Sequence, residues 1–310
     1  MNNKCSRRDF LKYAISGASL LALNSIPLSE KLFGQTKDVF AEINPHELYE
    51  LEGSDYKKLI REGFDCCGGI KTFVKPGDYV VLKPNAAWSR KPEEAGNTHP
   101  DLVSETVKLC RDAGAKKVDI IDHTCDNSKS SFKISGIEEA VKNAGGNMVS
   151  LSEGDHFAEV TIPNGKILKK TLVAKQVLNA DCFINMPIAK DHGSATLTLC
   201  MKNHMGIVKD RGYFHVNGLH ECIADISSFI KPDLNIMDCT RILLDHGPKG
   251  PGRVKTLNKV IFGINQVAVD SLATTYFGLK PKDIGYIRIA ETMGIGKTDV
   301  ENFKITQKKI

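Results

Sequence analysis

The hydrophobic positions along this chain alternate between two periods. Short apolar runs bounded by turn residues read as strands: Tyr79–Leu82, Val118–Ile121, Met148–Leu151, Val160–Ile162, Cys182–Met186, Leu234–Asp238 and Val260–Gly263. Between them lie stretches with helical spacing. Residues 45–75 predict one or two amphipathic helices ending at Gly68-Gly69, and 101–113 predict another, with Leu102, Val103, Thr106, Val107 and Cys110 on one face. Further helices are expected from Ile137 to Ala144, near 171–178, over 195–205, from Leu219 to Ile230 and from Val267 to Phe277. Strand alternating with helix implies right-handed crossovers. The expected fold is therefore α/β, a mostly parallel sheet with helices on both faces, Rossmann-like and doubly wound.

The first 41 residues break this pattern. Ser6-Arg7-Arg8-Asp9-Phe10-Leu11-Lys12 precedes a weakly apolar stretch from Tyr13 to Leu28, which reads as a twin-arginine export signal. The stretch is short and interrupted for a membrane span; an uncleaved anchor is the alternative. Val39-Phe40-Ala41 suits cleavage after Ala41. The organisation expected is a signal segment over 1–41 and a single α/β domain over 42–310. The protein is expected outside the cytoplasm, in the periplasm or at the envelope exterior, with no stable span once the signal is gone.

Charge changes the picture little. The net +5 includes six Lys/Arg against three acids in residues 1–41, so the remainder carries about +2. That gives no electrostatic case for nucleic acid. The nine cysteines show no Cys-x-x-Cys pair and no ferredoxin-type spacing. There is no Gly-x-Gly-x-x-Gly, phosphate-binding loop or Gly-x-Ser-x-Gly.

Candidate chemistry concentrates in 184–220. The run Cys182–Pro187 leads into Lys190, His192, Lys202, Asn203, His204, Arg211, His215 and His220. In α/β sheets, sites form outside the carboxyl ends of the strands. Lys83/Asn85, Asp122/His123, Lys190/His192 and Asp238 all fall at expected strand ends and would converge there. Lysines and an arginine favour a carboxylate or phosphate. Histidines serve proton transfer or metal ligation. Lys190, His192, His215 and Lys202 are taken as catalytic candidates. Lys83, Asn85, Thr98, His99, Asn203 and Arg211 are taken as substrate-binding ones. His192, His215, His220 and Asp122 form an alternative metal set, without His-x-x-x-His spacing. On a 195–205 helix, Thr198 and Lys202 would share a face. The Gly247–Gly252 loop approaches a ligand by its backbone or forms a surface hairpin.

Several blocks occur in order: Lys83-Pro84-Asn85, Thr98-His99-Pro100, Ser135-Gly136-Ile137, Asn185 through Lys190-Asp-His192, Met201-Lys202-Asn203-His-Met-Gly206, Gly247-Pro248 and Val-Ala-Val-Asp270. Over 78 to about 295 the chain resembles the domain-of-unknown-function 362 family, in its twin-arginine-exported form without a ferredoxin module. The resemblance implies an α/β fold and gives weight to the Lys-Asn-x-Met-Gly block. It supplies no substrate. Three functions follow as expectations: an enzyme acting on a small anionic or carbonyl-bearing molecule, a metal- or iron–sulfur-associated redox protein with a partner protein, or a non-catalytic anion-binding protein.

Overall fold

The computed structural model describes residues 47–310. The twin-arginine segment and the expected cleavage after Ala41 lie outside the described residues. The strands are β1 (Glu47–Glu52), β2 (Tyr79–Pro84), β3 (Lys117–Asp122), β4 (Asn147–Ser150), β5 (Phe157–Thr161), β6 (Lys170–Ala174), β7 (Cys182–Met186), β8 (Ile188–His192), β9 (Thr196–Thr198), β10 (Leu234–Leu243), β11 (Val254–Gly263) and β12 (Lys304–Lys309). Ten of them form one sheet in the order β12-β1-β11-β10-β7-β2-β3-β4, with β8 beside β10 and β9 beside β8. Most pairings are parallel; β11 runs antiparallel to both its neighbours, and β9 to β8. β5 and β6 form a separate hairpin.

The sheet is covered on both sides because its strands are apolar on both sides. Val81, Ile121, Phe183, Met237 and Ile261 pack into one cluster with the helices Leu219–Phe229, Gln266–Thr275 and Gly285–Thr292. Their sequence neighbours Leu82, Ile120, Ile184, Ile236 and Phe262 point the other way, against Tyr56–Cys66, Pro100–Asp112 and Ile137–Asn143. This period-2 division of residues between two cores is what a doubly wound sheet requires. No helix among the described residues is long and apolar enough to cross a membrane.

Three local expectations are corrected. Helices were expected over 45–75, but 47–52 is a strand, with Leu48 and Leu51 fully buried. Its partners β11 and β12 lie some two hundred residues away, so the local pattern carries no trace of them. The helix expected near 171–178 begins only at Lys175; residues 170–174 are drawn into a hairpin with β5. The helix expected over 195–205 is a strand from Thr196 to Thr198, then a single turn of helix at Cys200–Asn203 and a 3-10 turn at His204–Ile207. Thr196 has φ of 64°, which no helix accommodates. The helix starts where Asp270, from a distant helix, accepts from the backbone N–H of Cys200 (2.7 Å) and Met201 (3.0 Å).

β2 sits at a reversal of strand order. From β2 the chain winds outward through β3 and β4, whereas β7 pairs on the opposite side of β2 and leads to β10. Such a switch leaves a crevice above the carboxyl ends of the central strands, here those ending at Pro84, Asp122 and Met186.

Candidate functional site

The crevice floor is built from an ion pair and a chain of amides. Lys83 Nζ donates to Asp122 Oδ1 (2.8 Å), to Asn203 Oδ1 (3.0 Å) and to the Pro84 carbonyl (2.9 Å). The other Asp122 oxygen accepts from the Ala86 N–H (2.7 Å). Burial pushes the Lys83 pKa down, and the Asp122 carboxylate pulls it back up. Asn85 Nδ2 donates to Asn203 Oδ1 (3.2 Å), Asn203 Nδ2 to Asn185 Oδ1 (2.9 Å), and Asn185 Nδ2 to Asn235 Oδ1 (3.1 Å). Asn235 Nδ2 ends the chain on the carbonyls of Gly263 and Ile264 (3.3 Å each).

The Lys-Asn-His-Met-Gly block now has a physical reading. Lys202 and Met205 line the cavity. Asn203 knots the floor. His204 Nε2 meets Gln266 Oε1 at 2.6 Å and ties the turn to the following layer. A Cβ on Gly206 would lie 2.1 Å from Asp122 Oδ1 and 2.6 Å from Lys83 Nζ, so a side chain there would push the ion pair apart. The Gly206 carbonyl accepts from the His123 N–H at 2.8 Å, closing the turn against the end of β3.

Above the floor is a cavity of about 380 Å³, lined by Lys83, Asn85, Lys190, His192, Thr198, Lys202 and their neighbours. Its apolar wall comes from Ala87, Trp88, Met205 and Pro248. The lining is unusual in what it leaves open. Lys190 is fully buried, yet among the described residues its Nζ reaches just two acceptors, both neutral: Asn85 Oδ1 (3.2 Å) and the Gly96 carbonyl. Burial pushes its pKa down to about 7, with the charges of Lys202 and Lys83 adding to the effect. Lys202 makes no hydrogen bond or ion pair among the described residues, and burial beside Arg211 and Lys83 lowers it to about 8. Thr198 is 3% exposed and its hydroxyl has no partner among the described residues. Asp122 is the sole carboxylate lining the cavity among the described residues, and its oxygens are taken.

His192 is held by its ring Nδ1, which accepts from the N–H groups of Ala195 (3.1 Å) and Ser194 (3.3 Å). A neutral ring so held carries its proton on Nε2. Burial, then the cations Lys202 and Lys190, push its pKa down to about 3. It is a neutral hydrogen-bond donor at ordinary pH and not a proton acceptor. His215 stands exposed at the mouth, its pKa lowered by partial burial and by Lys202 and Arg211.

The structure thus brings Lys83, Asn85, Asp122, Lys190, His192, Lys202, Asn203, Arg211 and His215 to one cavity. Arg211 reaches it as a clamp on the loop after β3: its guanidinium donates to the carbonyls of His123 (2.9 Å) and Thr124 (3.0 Å) and to Cys125 Sγ (3.1 Å). Other candidates lie elsewhere. The Thr98 hydroxyl is consumed between the Asn85 N–H (2.9 Å) and the Met186 carbonyl (2.7 Å). His99 caps the helix Pro100–Asp112 and packs edge-on against Tyr56. His220 stacks on Tyr286, ring centroids 6.0 Å apart. Asp238, expected at a strand end, lies midway along β10 and pairs with Arg241. Among the described residues no group of three His, Cys, Asp or Glu side chains is arranged to hold a metal ion. The lining also includes residues outside the candidates named from the sequence, among them Trp88, Thr198, Cys125, which follows the Asp122-His123 signal by two positions, and Pro248, from the Gly247–Gly252 loop. That loop is tied down at Gly247, whose N–H donates to Asp191 Oδ2 (2.8 Å), and at Lys249, paired with Asp126 (2.9 Å) over the Trp88 ring.

A family model described as "Domain of unknown function (DUF362)" matches residues 80–275. The thylakoid-associated protein sll1697 of Synechocystis sp. is 26% identical over 244 residues, covering 76% of this chain and 74% of that protein. Among solved structures, the lactate racemase apoprotein of Thermoanaerobacterium thermosaccharolyticum aligns with a TM-score of 0.46 at 13% identity, over 76% of this chain. A Thermotoga maritima protein aligns with a TM-score of 0.45 at 11% identity, over 78% of this chain. The chain spans 58% and 60% of those two structures' lengths.

Proposed function

The chain belongs to the DUF362 family, and from that premise we propose that it is an enzyme acting on a small anionic, carbonyl-bearing molecule in the Lys190–Lys202 cavity. The observation that carries this reading is the imbalance of the lining. Two lysines, a histidine and a threonine whose buried hydroxyl has no partner among the described residues line a cavity whose one described carboxylate is already bonded. Burying cationic and donor groups without partners costs several kcal/mol (roughly 1–3 per unsatisfied group), and a ligand with oxygen acceptors would recover it. Lys202 anchors the negative charge. His192 Nε2–H and the Thr198 hydroxyl face the carbonyl oxygen, where they stabilise charge as it develops. Lys190, near neutral at physiological pH, is the group able to accept a proton.

The ligand is expected to be supplied outside the cytoplasm, because Ser6–Lys12 reads as a twin-arginine signal. The test is a thermal-shift screen of carboxylates, phosphates and oxo acids, followed by proton exchange in deuterated buffer, read by NMR, for every stabilising compound. Stabilisation of the wild type with loss of the response in Lys202→Met is the expected result. No stabilisation by any small anion would sink the reading. Stabilisation without exchange or turnover would leave a binding protein in its place.

A further inference from the structure

Lys190 differs from an ordinary buried lysine in the number of its acceptors. An ammonium group has three protons to place; a neutral amine has two protons and one lone pair. Among the described residues Lys190 Nζ has two acceptors, Asn85 Oδ1 and the Gly96 carbonyl, and no carboxylate. As an amine it satisfies both protons, and its lone pair is left unclaimed on a side chain that lines the cavity. As an ammonium it would strand one N–H. Lys83, a few residues away in space, shows the contrast: three acceptors, one of them charged.

We propose that Lys190 is a nucleophile that forms a Schiff base with the carbonyl of a short oxo acid. This rests on the reading of the cavity given above and deepens it. The Nζ lone pair adds to the carbonyl carbon, and the C=O π pair moves to oxygen, which takes a proton to give a carbinolamine. Nitrogen then forms the C=N bond as water leaves, with net amine plus carbonyl giving imine plus water. His192 Nε2–H and the unpartnered Thr198 hydroxyl suit the carbinolamine oxygen. Lys202 and Lys83, both cationic, disfavour a charged Lys190, as neighbouring cations do for Schiff-base lysines generally. A cavity of about 380 Å³ admits an acid of a few carbons.

The test is reductive trapping. Full-length protein is incubated with pyruvate, acetoacetate or glyoxylate and then reduced with borohydride, and peptides are read by tandem mass spectrometry. The expected product is a single adduct on Lys190, equal to the mass of the acid less one oxygen atom. It should be absent from Lys190→Met and reduced at least tenfold in Lys202→Met, whose reactive amine is intact. Because Lys190→Met removes a buried group, folding is checked by circular dichroism, and site assignment on the wild type stands without it. Adducts scattered over exposed lysines overturn the proposal. Stabilisation by oxo acids with no adduct overturns the Schiff base and leaves the proton-transfer reading standing. Neither stabilisation nor adduct overturns both.

Discussion

Two buried polar clusters lie on the carboxyl side of this sheet, and they are finished differently. Around Asp238 every group is paired. One oxygen accepts from the Thr240 N–H (2.9 Å) and hydroxyl (2.6 Å); the other accepts from the His99 N–H (2.9 Å) and Arg241 (3.1 Å). Arg241 places three further donors on Thr240 Oγ1 and on the carbonyls of Pro92 and Asn97. Around Lys190 and Lys202 the accounts stay open: a lone pair, an ammonium and a hydroxyl have no partner among the described residues. A closed polar cluster holds loops in register. An open one in a cavity is shaped for something else to complete.

The contrast can be broken by mutation. Asp238→Ala leaves the Arg241 guanidinium buried and unpaired and should cost about 3–5 kcal/mol, read as a lower urea midpoint. Lys202→Met removes a largely buried cation with no partner among the described residues, so it should hold or raise stability, by up to roughly 1–3 kcal/mol. Equal losses in the two variants would dissolve the distinction.

Titration sharpens it next. Lys190 titrates at about 7 in the folded protein against an ordinary 10.5. Between those values the unfolded chain holds a proton that the folded chain has released, so unfolding free energy rises with pH. The gain is complete above 10.5 and absent below about 7. The slope from this one group reaches at most about 1.4 kcal/mol per pH unit. Denaturant curves at several pH values should show wild type gaining on Lys190→Met through this window; parallel curves would mean that Lys190 is not displaced from its usual range.

The open cluster should also lose its ligand selectively. For any anion that stabilises the wild type, Lys202→Met is expected to weaken binding about tenfold or more, or ~1.4 kcal/mol, by calorimetry. The smallest effect belongs to the rim. Cys125→Ser should shift stability by about 0.5 kcal/mol or less, while alkylation of the wild-type Cys125 by iodoacetamide should slow when that anion saturates the cavity. An unchanged rate would place the ligand elsewhere.

The sequence showed the open cluster better than the closed one. Lys190, His192, Lys202 and Asn203 stood out because a mostly apolar run, Cys182–Pro187, broken by Asn185 alone, stops before them. Asp238, Thr98 and His99 gave the same signal for another reason. The sequence marks a polar residue after an apolar run, but not whether its partners arrive from β10 or from the loop before Pro100. The alternation of strand and helix gave the doubly wound core, since each strand's two faces are written in adjacent residues. It could not give β1, whose partners come from distant chain, nor β9, a three-residue strand in a local hairpin with β8 that the helical spacing over 195–205 masks. Thr198 was assigned to a helix face shared with Lys202. It reaches the same cavity from a strand paired with β8, opposite Lys190.

The asparagine chain on the floor has a direction. It begins on donors, the Lys190 and Lys83 ammonium or amine groups, and ends on the main-chain carbonyls of Gly263 and Ile264, which can do nothing but accept. Each amide in between hands its NH₂ forward and its oxygen back. No single amide can turn over without its two neighbours meeting oxygen to oxygen or nitrogen to nitrogen. The chain is therefore a sentence that reads one way only, and β11 dictates which atom of Asn85, across four strands, is offered to Lys190.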